Sequence, residues 1–250
     1  MDYTLTGNYV LPSLGKVYNC DVNPNVKLRS MTVAEEMKRL NSSDRPYKNL
    51  ADIIDDCLID KPGISSYDMC LGDFQYLLHK LRVVTYGTKY SLSSKCPYCG
   101  FENVGDIDLN EMSVSSYTDE VEKYFNVELP VSKRNIRLRM QTPRMLDDIN
   151  VRVKELTSKR KSSSKDSAFL FNLESVIDTV DGVKLDVIQK EDFVQKLPMA
   201  DTNYILASMD KINSLIGLDV NLNIECDFCG LEYESPFRIT PQFFRPSVDF

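Results

Sequence analysis

The sequence predicts an α+β fold built on a split ribbon, in which two β-hairpins are clamped at their tips by four cysteines. Helices fill the N-terminal region, and an α/β insertion separates the hairpins. Three observations lead there. Cys96-Pro97-Tyr98-Cys99-Gly100 and Cys226-Asp227-Phe228-Cys229-Gly230 repeat one short motif, each between strand-like flanks. Apolar residues recur at helical spacing over 74–84 and 205–216. Ile136-Arg137-Leu138-Arg139-Met140 alternates with period two, as a half-buried strand does.

The elements follow in chain order. Residues 7–17 carry Gly and Pro and read as an extended leader. Thr32-Val33-Ala34-Glu35 is a capping box, whose hydroxyl and carboxylate satisfy the first free amides of a helix expected through Leu40. A second short helix is expected over 50–58, stopped near Pro62-Gly63. The third places Phe74, Leu77, Leu78, Leu81 and Val84 on one face, with Asp73 at its start and Lys80 and Arg82 toward its end, where they suit the dipole. His79, the chain's one histidine, falls on the opposite face and is expected to be an exposed helix residue.

After Gly87 the chain turns to strand at 89–92, enters the first cysteine motif and leaves through 101–109. Residues 127–140 read as a hairpin with Arg137 and Arg139 facing outward. Pro143 opens a helix to about Leu156, another covers 167–175, and Asp181-Gly182 marks a tight turn. Ile205, Leu206, Met209, Ile212 and Ile216 share one side of a helix that stops at Gly217. Strand 220–224, the second motif and strand 231–239 follow. The expected organisation is 1–70 for leader and helices, 71–110 for a helix and the first knuckle, and 111–219 for the insertion, with a flexible basic loop at 157–166. Residues 220–250 hold the second knuckle and an aromatic tail, the whole packed as one body.

A tetrahedral Zn²⁺ takes four thiolates, and each Cys-x-x-Cys-Gly is a half-site. The two intervening residues turn both sulfurs toward one ion, and the glycine lets the backbone turn behind them. Cys96, Cys99, Cys226 and Cys229 are the expected ligands of one structural zinc. A thioredoxin-type motif would need a single copy at a strand-to-helix junction, and seven cysteines do not make a paired disulfide framework. Cys20, Cys57 and Cys70 stand alone and read as small buried hydrophobes. The N-terminus shows no basic and apolar leader, so a reducing cytoplasm is expected.

A net charge of −7 argues against a general affinity for nucleic acid, and no apolar run is long enough to span a bilayer. Basic residues do gather at Lys133, Arg134, Arg137 and Arg139, and again from Arg152 to Lys165, around Ser162-Ser163-Ser164. They form either a solvated loop between helices or a contact surface, for an acidic protein partner or for the nucleic-acid backbone of a nucleic-acid-binding zinc ribbon. Catalytic patterns are missing: there is no phosphate-cradling glycine loop, nucleophile elbow or His-Glu-x-x-His. Asp55-Asp56 and Asp147-Asp148 read as solvated surface, and the chain as a non-enzyme. The last residues, with Phe243, Phe244, Phe250 and two prolines, suit either a partner's groove or packing back on the body.

The order of these motifs resembles the zinc-ribbon baseplate hub proteins of T4-like contractile-tailed bacteriophages. The matching stretches are Asp73-Phe74-Gln75-Tyr76-Leu77-Leu78 through Thr85-Tyr86-Gly87 into the first knuckle, then Leu197-Pro198 through Gly217, the second knuckle and Phe243-Phe244-Arg245-Pro246. The resemblance implies a non-enzymatic role in building the central hub. The chain would be an assembly factor binding hub or tape-measure components in the host bacterial cytoplasm, or a permanent subunit of the virion baseplate.

Overall fold

The computed structural model describes residues 4–41, 43–159, 164–237, 239 and 241–244. Its first unit is the antiparallel sheet β1 (Thr6–Val10), β2 (Asn25–Arg29) and β3 (Leu58–Asp60), in that order, with α1 (Val33–Leu40) and α2 (Pro46–Cys57) between the second and third strands. Helix α3 (Leu71–Tyr86) leads into the first hairpin, β4 (Lys89–Lys95) and β5 (Glu102–Asp108). Strand β6 (Val114–Ser115) opens the insertion. It contains α4 (Glu122–Phe125), the antiparallel strands β7 (Asn126–Glu128) and β8 (Asn135–Leu138), α5 (Pro143–Lys159), α6 (Ser164–Val176) and β9 (Ile177–Val180), then α7 (Val187–Gln195) and α8 (Met199–Leu215). Strand β10 (Gly217–Leu218) returns antiparallel to β6, so the insertion leaves and re-enters at one place. The second hairpin, β11 (Asn221–Glu225) and β12 (Glu232–Pro236), follows.

Three apolar clusters result. The largest joins the leader, α2, α3 and the hairpin bases, with Leu28, Ile54, Leu77, Leu81 and Leu109 at its centre. A second lies inside the insertion around Leu129, Ile136, Leu138, Ile177, Ile205 and Ile212. The third, at the hairpin tips, consists of Cys96, Cys226 and Tyr233. Where β10 crosses α3, a Cβ on Gly72 would lie 2.5 Å from the Ile216 carbonyl oxygen. Only glycine permits that approach.

Helix α3 is buried over most of its surface, with Gln75 exposed, and this overturns the expectation for His79. His79 is fully buried, stacked on Phe243 at 6.5 Å between ring centroids, and neither ring nitrogen has a hydrogen-bond partner. Burial, with the Lys80 charge beside it, pulls it down to about 4, so it packs as a neutral ring. Arg82 is also buried. Its guanidinium donates to three carbonyls: Phe243 at 2.9 Å, Gly87 at 2.8 Å and Lys89 at 3.1 Å. It ties the helix end, the first hairpin and the C-terminal turn together, a role that its place near the end of the helix does not by itself reveal.

Asp147 is a further correction. It is buried and caps α2, accepting from the Tyr47 and Lys48 amides at 3.3 and 2.8 Å and from the Tyr67 hydroxyl at 3.1 Å. With Pro46 in the first turn, this starts α2 four residues earlier than expected. Asp55 likewise accepts from Ser65 Oγ at 2.6 Å and the Ser66 amide at 2.9 Å. The leader is extended only to Val10 and then turns, because the buried Asp73 carboxylate binds the Ser13 amide and hydroxyl and the Tyr18 hydroxyl. Burial of Asp73 raises its pKa against those hydrogen bonds. Cys57 and Cys70 are buried as expected, while Cys20 is exposed. Helices α5 and α6 run into the basic segment from both sides, and residues 160–163 of the expected loop lie outside the described residues.

Candidate metal centre

Each cysteine pair sits at the tip of its hairpin through the same local device. The Cys96 amide donates to the Phe101 carbonyl at 2.8 Å and the Gly100 amide to the Cys96 carbonyl at 3.0 Å. In the second hairpin the Cys226 amide meets Leu231 at 3.1 Å and the Gly230 amide meets Cys226 at 2.8 Å. Gly100 and Gly230 have φ of 77° and 68°, the left-handed geometry that turns the chain back into its strand.

The hairpins lock together across the site. The Asn103 side chain donates to the Tyr233 hydroxyl at 2.9 Å and accepts from the Asp227 amide at 2.9 Å. Ser94 donates to Ser235 at 2.8 Å. These bonds hold all four Sγ atoms within 4.8 Å of one another, with Cys96 to Cys229 at 3.8 Å and Cys99 to Cys226 at 3.6 Å. A tetrahedron with metal–sulfur bonds of about 2.3 Å has edges of about 3.8 Å, so the sulfurs fit a thiolate-bound divalent ion.

Their protonation favours one too. At Cys226 burial opposes ionisation, but the amides of Cys229 and Phe228 and the adjoining thiols outweigh it and bring it down to about 6. At Cys99 the Phe101 amide favours the thiolate, while burial and the other sulfurs push it up to about 12. Four sulfurs in contact cannot all ionise alone; a cation with two positive charges removes that conflict. Cys99 and Cys226 stand 127 positions apart, so a shared ion closes a very long loop.

The remaining sequence candidates lie elsewhere. Phe243 and Phe244 are buried in the largest cluster, Phe243 against Tyr90 and Phe237, so they present no surface to a partner. Aromatic area was the reason to expect docking, and the core beside α3 has taken it. Phe250 lies outside the described residues. Ile136, Leu138 and Met140 point inward and Arg137 outward, as the alternation requires. Arg139 is half-buried and donates to the Ser175 carbonyl at 2.9 Å. Much of the basic group faces carboxylates: Arg134 with Asp181 at 2.5 Å, Arg137 with Glu122 at 3.1 Å, Arg152 with Glu174 at 3.2 Å and Lys154 with Asp44 at 2.9 Å. Among the described residues, no helix is long and apolar enough to cross a membrane.

The stacked pair Phe101 and Phe228, at 5.7 Å between centroids, escaped the sequence reading although both lie in or beside the cysteine motifs. Their signal was an apolar ring where a surface turn needs none.

No curated protein and no solved structure matches this chain. The model of one family, described as T4 bacteriophage base plate protein, matches residues 4–245, from the leader through both hairpins and the buried phenylalanines. With that match spanning nearly all of the fold, the chain belongs to the T4 bacteriophage base plate protein family.

Proposed function

We propose that the chain is a non-enzymatic assembly factor for the baseplate hub, binding hub or tape-measure components in the host bacterial cytoplasm. One structural Zn²⁺ would be held by Cys96, Cys99, Cys226 and Cys229. Membership of the base plate family carries this reading. The sulfur geometry supports the metal assignment, since four thiolates saturate a tetrahedral ion and leave no position for water or substrate. The ion supplies a crosslink between hairpin tips that bury little apolar surface of their own.

A permanent place in the baseplate is the second reading, favoured by the family's description as a base plate protein. Quantitative mass spectrometry of purified phage particles separates the two. Absence from particles, with abundance in infected cells, fits the assembly factor. A few copies per particle, in a ratio matching hub symmetry, makes it a subunit. Intact baseplates from phage lacking the chain would sink both. Elemental analysis should find about one zinc per purified chain.

A further inference from the structure

At the four-cysteine tip, large apolar side chains from two separate hairpins are offered to solvent side by side. Tyr98 is 64% exposed and Phe228 74%, with Phe101 and Leu231 also exposed beside them. All four belong to the two cysteine turns, and the stack of Phe101 on Phe228 crosses from one hairpin to the other. An apolar patch held in fixed geometry marks an interaction surface.

The surrounding charge says what covers it. Residues 89–108 and 219–236 contain eight carboxylates and two lysines, a net −6 within a chain whose total is −7. Some of these acids serve the fold: Asp106 pairs with Lys89, and Asp219 accepts from the Asn221 amide. Glu225, Asp227, Glu232 and Glu234 do not. All four are exposed, and among the described residues none has a Lys or Arg partner. Glu225 and Glu232 stand directly opposite each other across the strands, an arrangement that costs stability in the free protein. Four thiolates around a divalent ion would add a further negative charge to the same tip.

We propose that this tip docks onto a basic face of another baseplate protein, a Lys/Arg rim around an apolar pocket that receives Phe228 and Tyr98. The proposal rests on the reading that the chain works by binding such proteins. Nucleic acid and anionic membrane carry the wrong sign, and a second copy would bring its own −6 against this one.

The test uses phage carrying two variants of the full chain, Glu232→Lys/Glu234→Lys and Phe228→Ser. Both lie outside the ligand set, and purified variants should keep the parental metal content and melting temperature. Each should lower the yield of assembled tails about a hundredfold, the effect of losing central contacts of an interface. Suppressors of the charge variant should map to Lys or Arg positions of another baseplate protein, changed to Asp or Glu. Wild-type yield from folded, metal-loaded variants overturns the proposal. So does a dimer in high salt that Phe228→Ser abolishes, which would assign the tip to a second copy. Phage lacking the whole chain provide the reference. If they fail while the tip variants assemble, this surface alone is wrong; if they too assemble, the hub reading falls with it.

Discussion

The hairpin tips and the surroundings of α3 solve one problem in opposite ways. Around α3, twenty-one buried side chains from five parts of the sequence form a cluster, and buried polar groups such as Arg82 tie its segments together. At the tips three buried residues suffice, because Cys96, Cys226 and Tyr233 are accompanied by sulfurs placed for a metal. Apolar burial contributes roughly 25 cal/mol per Å², so a small tip gains little from it. A crosslink instead restricts the unfolded chain, and does so most over a long loop. The difference teaches where each region is vulnerable: the tip to loss of one ligand, the α3 region to loss of one buried polar contact.

The strongest way to break the comparison is at the metal. Cys226→Ser, or a chelator on the parent, should remove the ion and cost about 5 kcal/mol, the loop-closure scale for a crosslink spanning on the order of 100 residues. Urea unfolding with elemental analysis would check it; a metal-free Cys226→Ser protein of parental stability would show that the tip needs no clamp. Next comes Arg82→Met. It strands the buried Phe243 carbonyl and two partly buried ones, at Gly87 and Lys89, and should cost about 3.5 kcal/mol without changing metal content, which separates the two regions experimentally.

His79 sharpens the α3 side through pH. Its folded pKa, about 4, lies below the unfolded value near 6.5, so the unfolded chain binds the extra proton. Its contribution is therefore complete above pH 6.5 and lost as pH falls toward 4, by about 3 kcal/mol. His79→Phe should leave stability at pH 7 nearly unchanged and flatten that part of the profile, measured as the difference between the two proteins. An unchanged slope would mean that the ring is already solvated. The smallest effect is expected at Asp147→Ala, about 2 kcal/mol, from losing the cap on α2. Helicity measured by circular dichroism should fall slightly while metal content matches that of the parent.

The same contrast explains what could be read from the sequence. Both cysteine turns were legible because the device is local: two ligands, two spacers and a glycine with positive φ. The inward set Ile136, Leu138 and Met140 was legible for a similar reason, since period two needs only neighbours. His79 was misplaced because periodicity identifies the most apolar face of a helix and says nothing of what covers the others. Asp147 could not be recognised as a cap, as the amides it binds are 99 and 100 positions away. Phe243 and Phe244 offered the same rings for docking or for burial, and only the space beside α3 decided between them.

The distance between the two half-sites also sets an order of events during synthesis. Cys99 leaves the ribosome 127 residues ahead of Cys226, which at about 5–20 residues per second is a wait of roughly 6–25 s. Through that interval the first hairpin has only half of its ligands, and Phe101 has no ring to stack on. If the tip docks as proposed, its partner cannot engage a nascent chain before the insertion has been translated, and completion of the four-cysteine site would act as a timing signal for assembly.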